Sequence, residues 1–246
     1  MCIRDSVRPR LANSDRLQPP EAGVASEPME PALLPKLRLT VTKTGRTASL
    51  SHLEYMTLIH RAVRRASLPV KYSAGFHPAP RISFGDALPL GVSSEAELID
   101  LELTAPCQPQ EAMQRLNQRL PEGVRVLNAE QWPRKAEGPA NSVLAATFKV
   151  PLPESLQDGL DERLKEFLER ETVMTTRTKK HRATQLDLRP WVLDLHRDEE
   201  FLWMRKHSGS PLFLAAYLLQ MDAELVRVLG IHKTAIELKD TERLLD

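Results

Sequence analysis

The apolar positions of this chain change period several times between Lys36 and Leu127. Leu37, Leu39 and Val41 alternate with Arg38, Thr40 and Thr42, the period of a half-buried strand. Gly45 marks a turn, and Ser51-His52-Leu53-Glu54 has the form of a capping box. In that motif the serine hydroxyl accepts from the Glu54 amide while the carboxylate reaches back to the start of the helix. Leu53, Met56, Ile59, Val63 and Ala66 then recur at helical spacing, which predicts a helix to Ser67, stopped by Pro69. A short strand is expected at Val70–Ser73, then an irregular stretch from Gly75 to Arg81, then extended chain over Ile82-Ser83-Phe84. Leu98–Leu103 reads as a strand, Pro109–Leu120 as a helix with Met113, Leu116 and Leu120 inward, and Val124, Val126 and Leu127 as a last strand. The order strand–helix–strand–strand–helix–strand is that of a ferredoxin-like, split βαβ unit.

The polar segment Pro133–Ser142 reads as a boundary, so the first unit is expected over 36–132 and a second over 143–239. In the second, Leu144–Val150 is a strand, and Glu154–Arg170 a helix with Leu156, Leu160, Leu164, Phe167 and Leu168 inward. Strands are expected at Val173–Thr178, Leu186–Leu195 and Phe201–Lys206. Ser210-Pro211 opens a helix with proline at its first position, and Ile231–Leu238 closes the unit as a strand. The fold class is α+β: a ferredoxin-like unit followed by a second α+β unit of similar topology.

Residues 1–35 break both periods. Met1–Ser6 reads like the translation of a transposase-type sequencing adapter, which makes Cys2 an artefact, and six prolines between Val7 and Pro35 describe a linker. A linker with nothing ahead of it suggests a gene cut from a longer fusion.

Composition narrows the chemistry. The 246 residues carry a formal charge of +1, which removes any argument from overall field, so a basic site must be local. No apolar run reaches the roughly 20 residues of a membrane span, and no signal peptide is visible; a cytoplasmic protein is the expectation. Cys2 and Cys107 form no CxxC or CxxxCxxC motif, so this chain is not expected to bind an iron–sulfur cluster or zinc by itself. The seven histidines show no HxH, HxxxH or HExxH pattern.

Several blocks occur in order: Ser51-His52-Leu53-Glu54, Arg61 to Pro69, Tyr72-Ser73-Ala74-Gly75-Phe76-His77-Pro78, Ile82-Ser83-Phe84 and Leu88 to Glu95. Together they resemble the signature of the radical-SAM-linked family of bacterial proteins, with departures at His77 and Ala79. The resemblance is strong from Leu37 to about Val126 and loose beyond. It implies a partner, a B12-binding-type radical SAM protein fused in cis or encoded in trans. S-adenosylmethionine and an iron–sulfur cluster are then expected on that partner, and no reaction is implied for this domain.

The candidate site residues are His52, Arg61, Arg64, Arg65, Tyr72, Gly75, Phe76, His77 and Arg81. Three guanidinium groups within one helical turn suit phosphate or carboxylate, each fork bonding two oxygens. The plainer alternative is a solvated helix face paired to Glu95 or Glu97. Gly75 admits backbone angles closed to other residues, and Pro78 and Pro80 stiffen the chain beyond it, so the loop can present Phe76 and His77. Phe76 then either stacks on a base or plugs the core. His52, in the first turn of a helix, is a neutral base or ligand, or simply a hydrogen-bonding neighbour. The expected arrangement is one recess in which Arg61, Arg64 and Arg65 lie beside the Gly75–Arg81 loop. A second basic run, Arg177 to Arg182, reads as a solvated turn or an RNA-contacting loop. The function expected is an accessory, substrate-recognition domain of a radical SAM system acting on RNA or a ribonucleoprotein, without activity of its own. The alternatives are a stand-alone RNA-binding protein and, last, a hydrolase or transferase using His52, His77 and the arginines.

Overall fold

Strand alternation and two amphipathic helices build the first half of the molecule, seen in a computed structural model that describes residues 34–179 and 182–239. The adapter-like hexapeptide, most of the proline-rich segment, and Lys180 and His181 lie outside the described residues. Strand β1 (Lys36–Lys43) leads through a 3-10 turn at Gly45–Ser49 to helix α1 (His52–Arg65), followed by β2 (Ile82–Phe84), β3 (Ser93–Glu102), α2 (Pro109–Asn117) and β4 (Val126–Trp132). The strands lie in the order β4-β1-β3-β2, each antiparallel to its neighbour, which is the ferredoxin-like arrangement. Residues Leu37, Leu39, Ile99 and Leu101 turn to one face and pack against Tyr55, Ile59 and Val63 of α1 and Leu116 of α2.

The capping box is present, with the Glu54 amide donating to Ser51 Oγ at 3.3 Å and the Ser51 amide to Glu54 Oε2 at 2.8 Å. The phase of α1 differs from the expected one. Leu53 is 73% exposed and Tyr55 is buried instead, because the apolar face is centred on Tyr55, Ile59, Ala62 and Val63. Val70–Ser73 is not a strand: only isolated pairings, Val70 with Leu103 and Tyr72 with Pro80, occur there. Pro80 has no N–H to extend a ladder.

A short turn, α3 (Pro139–Ser142), precedes the second half: β5 (Val143–Pro151), α4 (Leu160–Glu169), the hairpin β6 (Met174–Lys179) and β7 (Arg182–Asp187), β8 (Val192–Arg197), β9 (Phe201–Lys206), α5 (Pro211–Leu219), α6 (Ala223–Leu229) and β10 (His232–Leu238). Its sheet order, β10-β5-β9-β8, repeats the antiparallel order of the first half. Two expected elements divide. Gly159, left-handed at φ 63°, sets a 3-10 turn at Glu154–Leu156 apart from α4. A 3-10 turn at Arg189–Trp191, built on Pro190, separates β7 from β8 where the pattern predicts one strand. Helix α6 is an addition to the expected elements, capped by Asp222 Oδ1 accepting from the Glu224 amide at 2.7 Å.

The halves share one eight-stranded sheet. Because β2 covers only Ile99–Leu101 of β3, the start of β3 is left for β10, which pairs in parallel through His232–Ser93 and Lys233–Ser94. The Pro133–Ser142 segment contributes to packing as well as connecting. Arg38, 1% exposed, forks onto Asp100 at 2.7 and 2.8 Å, donates to Ser142 Oγ and Glu137 O, and lies 3.8 Å above the Trp132 ring. Arg38 and Asp100 are register partners on adjacent strands, so the pair locks β1 to β3 beneath the connecting segment.

Candidate functional site

Between α1 and β2 the chain makes a narrow projecting loop. Its stem is tied by backbone hydrogen bonds from Arg81 to Lys71 O (2.7 Å) and from Ser73 to Ala79 O (2.9 Å). The Ala79 amide also donates to Ser73 Oγ at 3.1 Å, closing the neck. Above the neck, Ala74, Gly75, Phe76, His77 and Pro78 are all exposed. Gly75 has φ 128°, an angle that L side chains rarely adopt, and this carries the chain around the tip. Phe76 is 102% exposed, so it is presented to solvent and is not a core plug.

Arg64, itself exposed, reaches the loop, its Nη2 donating to Pro78 O at 3.3 Å. Arg81 and Lys71 flank the stem and share Glu102, at 3.7 and 3.9 Å. Tyr72 is exposed on the same stem. Thus Arg64, Tyr72, Gly75, Phe76, His77 and Arg81 are brought together.

Arg61, Arg65 and His52 are not part of that group, and the expected single recess is corrected. Arg61 and Arg65, four residues apart on α1, line a groove of about 740 Å³ between α1 and the end of α2, together with Arg119 and the exposed Leu53. Arg64 belongs to the adjacent face of the helix, the one that carries His60. His52 packs edge-on against Phe84 at 6.0 Å between ring centres, and Tyr55 and His60 complete the cluster around that ring. Burial, and then the neighbouring Arg64, hold the His60 imidazole below its ordinary pKa, which favours the neutral ring. Lys71 and Phe84 were legible only as members of two short extended segments, Val70–Ser73 and Ile82–Phe84, not as site residues.

Cys107 is buried, and burial pushes its thiol pKa up, the setting of a packing residue. Among the described residues no three His, Cys, Asp or Glu side chains gather as metal ligands, and no helix is long and apolar enough to cross a membrane. Arg177, in the second basic run, lies 5.9 Å from the Phe213 ring centre.

The fold and the loop define an α+β protein of two ferredoxin-like halves with one projecting aromatic tip. Residues 36–228 match the family described as "Uncharacterized protein conserved in bacteria (DUF2344)", and the chain belongs to that family. No curated protein matches the chain. Among solved structures it is similar, at 12% identity and a TM-score of 0.39, to a chain of the crystal structure of a Cbf5-Nop10-Gar1 complex. The match covers 81% of this chain and 48% of that one, so this chain spans about half its length.

Proposed function

We propose that this chain is a recognition module that works with a radical SAM protein, in cis or in trans, and holds an RNA or ribonucleoprotein substrate on the Phe76 loop. The observation that carries the reading is Phe76 itself, fully exposed at the tip of a loop whose neck is hydrogen-bonded. Leaving a phenylalanine in water forgoes roughly 1.5–3 kcal/mol of burial, and a fixed loop keeps it there. Such a ring is suited to stack on an unpaired base, every base having a π-face. Arg64 and His77 beside the tip, with Lys71 and Arg81 lower on the stem, supply donors for phosphate, which suits a chain of near-neutral overall charge.

The link to a radical SAM protein rests on the ordered sequence blocks, among them Tyr72 to Pro78 of this loop. S-adenosylmethionine and the cluster belong to the partner in this reading, because the sequence carries no CxxxCxxC of its own. The test is light scattering and RNA titration on the full chain mixed with the radical SAM protein of the same genome. A complex that binds single-stranded RNA more tightly than either component supports the proposal. RNA binding indifferent to the partner favours the stand-alone reading, and the absence of both complex and RNA binding rejects it.

A further inference from the structure

At the seam where β10 joins β3, a cavity of about 100 Å³ lies between the two halves. Leu88, Leu98, Phe148 and Ile236 supply its apolar walls, and Lys206 and Lys233 line it as well, with Asp86 and His207 among its polar residues. Both lysines are withdrawn from solvent, Lys206 being 5% exposed and the Lys233 side chain 11%. Lys233 Nζ sits 2.6 Å from Glu97 Oε1. Lys206 Nζ has one hydrogen-bond acceptor among the described residues, Gly209 O at 2.8 Å, and lies 5.1 Å from the centre of the Phe148 ring.

An ammonium group carries three donors, so a single carbonyl leaves Lys206 under-satisfied in a place that water reaches poorly. The local charge is also unbalanced. Glu97 is shared between Lys233 and the nearby buried Lys43, whose own Nζ donates to Leu50 O. Asp86, the remaining carboxylate facing Lys206, is itself exposed. Retiring an ammonium from water costs several kcal/mol unless an opposite charge accompanies it. A position meant only for packing would hold leucine or methionine, as the inward residues Leu202 and Met204 of the same strand do.

The turn that supplies the carbonyl is fixed. Gly209 has φ 75°, and a Cβ there would stand 2.2 Å from the Trp191 ring, so only glycine fits. The next residue, Ser210, caps α5 by accepting from the Phe213 amide at 3.4 Å. The site is therefore built in advance.

We propose that this seam cavity binds a small oxyanion, a phosphate or a carboxylate group, held by the ammonium groups of Lys206 and Lys233. The apolar walls then receive whatever body the anion carries. Burial, and then the charge of Lys233, bring the Lys206 pKa down to about 8 against a weaker opposing effect of Asp86, and a bound anion reverses that shift.

The experiment titrates the full chain with inorganic phosphate and, separately, with acetate, each against sodium chloride of equal ionic strength. It reads the melting temperature and the ionisation of Lys206 by side-chain NMR of isotopically labelled lysine. At a hundredfold excess over its dissociation constant, the bound anion should raise the melting temperature by about 5–10 °C and the Lys206 pKa by about one unit. The acetate and phosphate arms show which oxyanion is preferred, and Lys206→Met should abolish both responses. The proposal is overturned if neither anion exceeds chloride, or if Lys206→Met responds like the wild type. Should that variant not fold, the wild-type titration decides alone: a Lys206 pKa unmoved by both anions rejects the site.

Discussion

Arg38 stands on the polar side of an alternating strand, a position that pattern alone assigns to solvent, yet it is 1% exposed. The reason is the second face of the sheet, where Trp132 and Ser142 close over it. Alternation records which residues share a face, and cannot record that a connecting segment covers the other one. Arg38→Ala leaves Asp100 buried without its counter-charge and should cost about 3–5 kcal/mol, measured by urea denaturation. Replacing both partners by apolar residues should recover most of that loss. Phe76 is the opposite case. Its type suggests burial, and the nearby Gly75, Pro78 and Pro80 were the signs of a projecting loop. Phe76→Ala should leave stability within about 0.5 kcal/mol of wild type by the same denaturation. Arg64→Ala should lower the salt dependence of RNA binding by roughly 0.7 in the logarithmic slope, one single-strand phosphate contact, while Arg65→Ala, on the α1–α2 groove, should not.

Helix α1 announces its start clearly and its face less so. The capping box fixed the first turn because it is a local arrangement of Ser51 and Glu54, needing no partner from elsewhere. Ser51→Ala should destabilise the fold by about 1 kcal/mol, again by urea denaturation. Which face is buried depends on the sheet beneath, and Leu53 fitted the helical period as well as Tyr55 did. Elsewhere the decisive local signals were single residues. Gly159 and Pro190 mark the breaks in two expected elements, and Asp222 marks the start of α6. On β9, Lys206 shares the inward face with Leu202 and Met204. Its meaning emerges only with the cavity it lines.

Over the whole molecule, the ferredoxin-like order of the first half was legible from element order, and the repeat of that order in the second half was legible as similarity of topology. Their union in one sheet was not, since it rests on two register pairs between β10 and β3. That seam gives the protein a pH response. Lys206 is brought from an ordinary 10.5 to about 8 in the folded state, so between those values the unfolded chain holds a proton that the folded one has released. Stability should therefore rise as pH increases from about 8, by an amount on the order of 3 kcal/mol over the full window. Lys43, also lowered by burial, acts in the same direction. Tyr55 acts against it above its ordinary value of 10.0, because burial raises its folded-state pKa. Urea denaturation of wild type and Lys206→Met across this range checks the assignment: the variant should lose most of the slope, and equal slopes would exclude Lys206 as its source.

If the Phe76 loop is a recognition surface and not a structural appendage, its ring contributes to binding and not to folding. A fluorescence-anisotropy titration of a single-stranded oligoribonucleotide with wild-type chain and Phe76→Ala, with the melting temperature of each protein recorded alongside, separates the two roles. Equal melting temperatures are expected, with an RNA affinity lower by about 1–3 kcal/mol in the variant, the worth of one base stacked on an aromatic ring. Equal affinities at equal stability, or no RNA binding by the wild type even with the radical SAM protein of the same genome added, would contradict a recognition role for the loop.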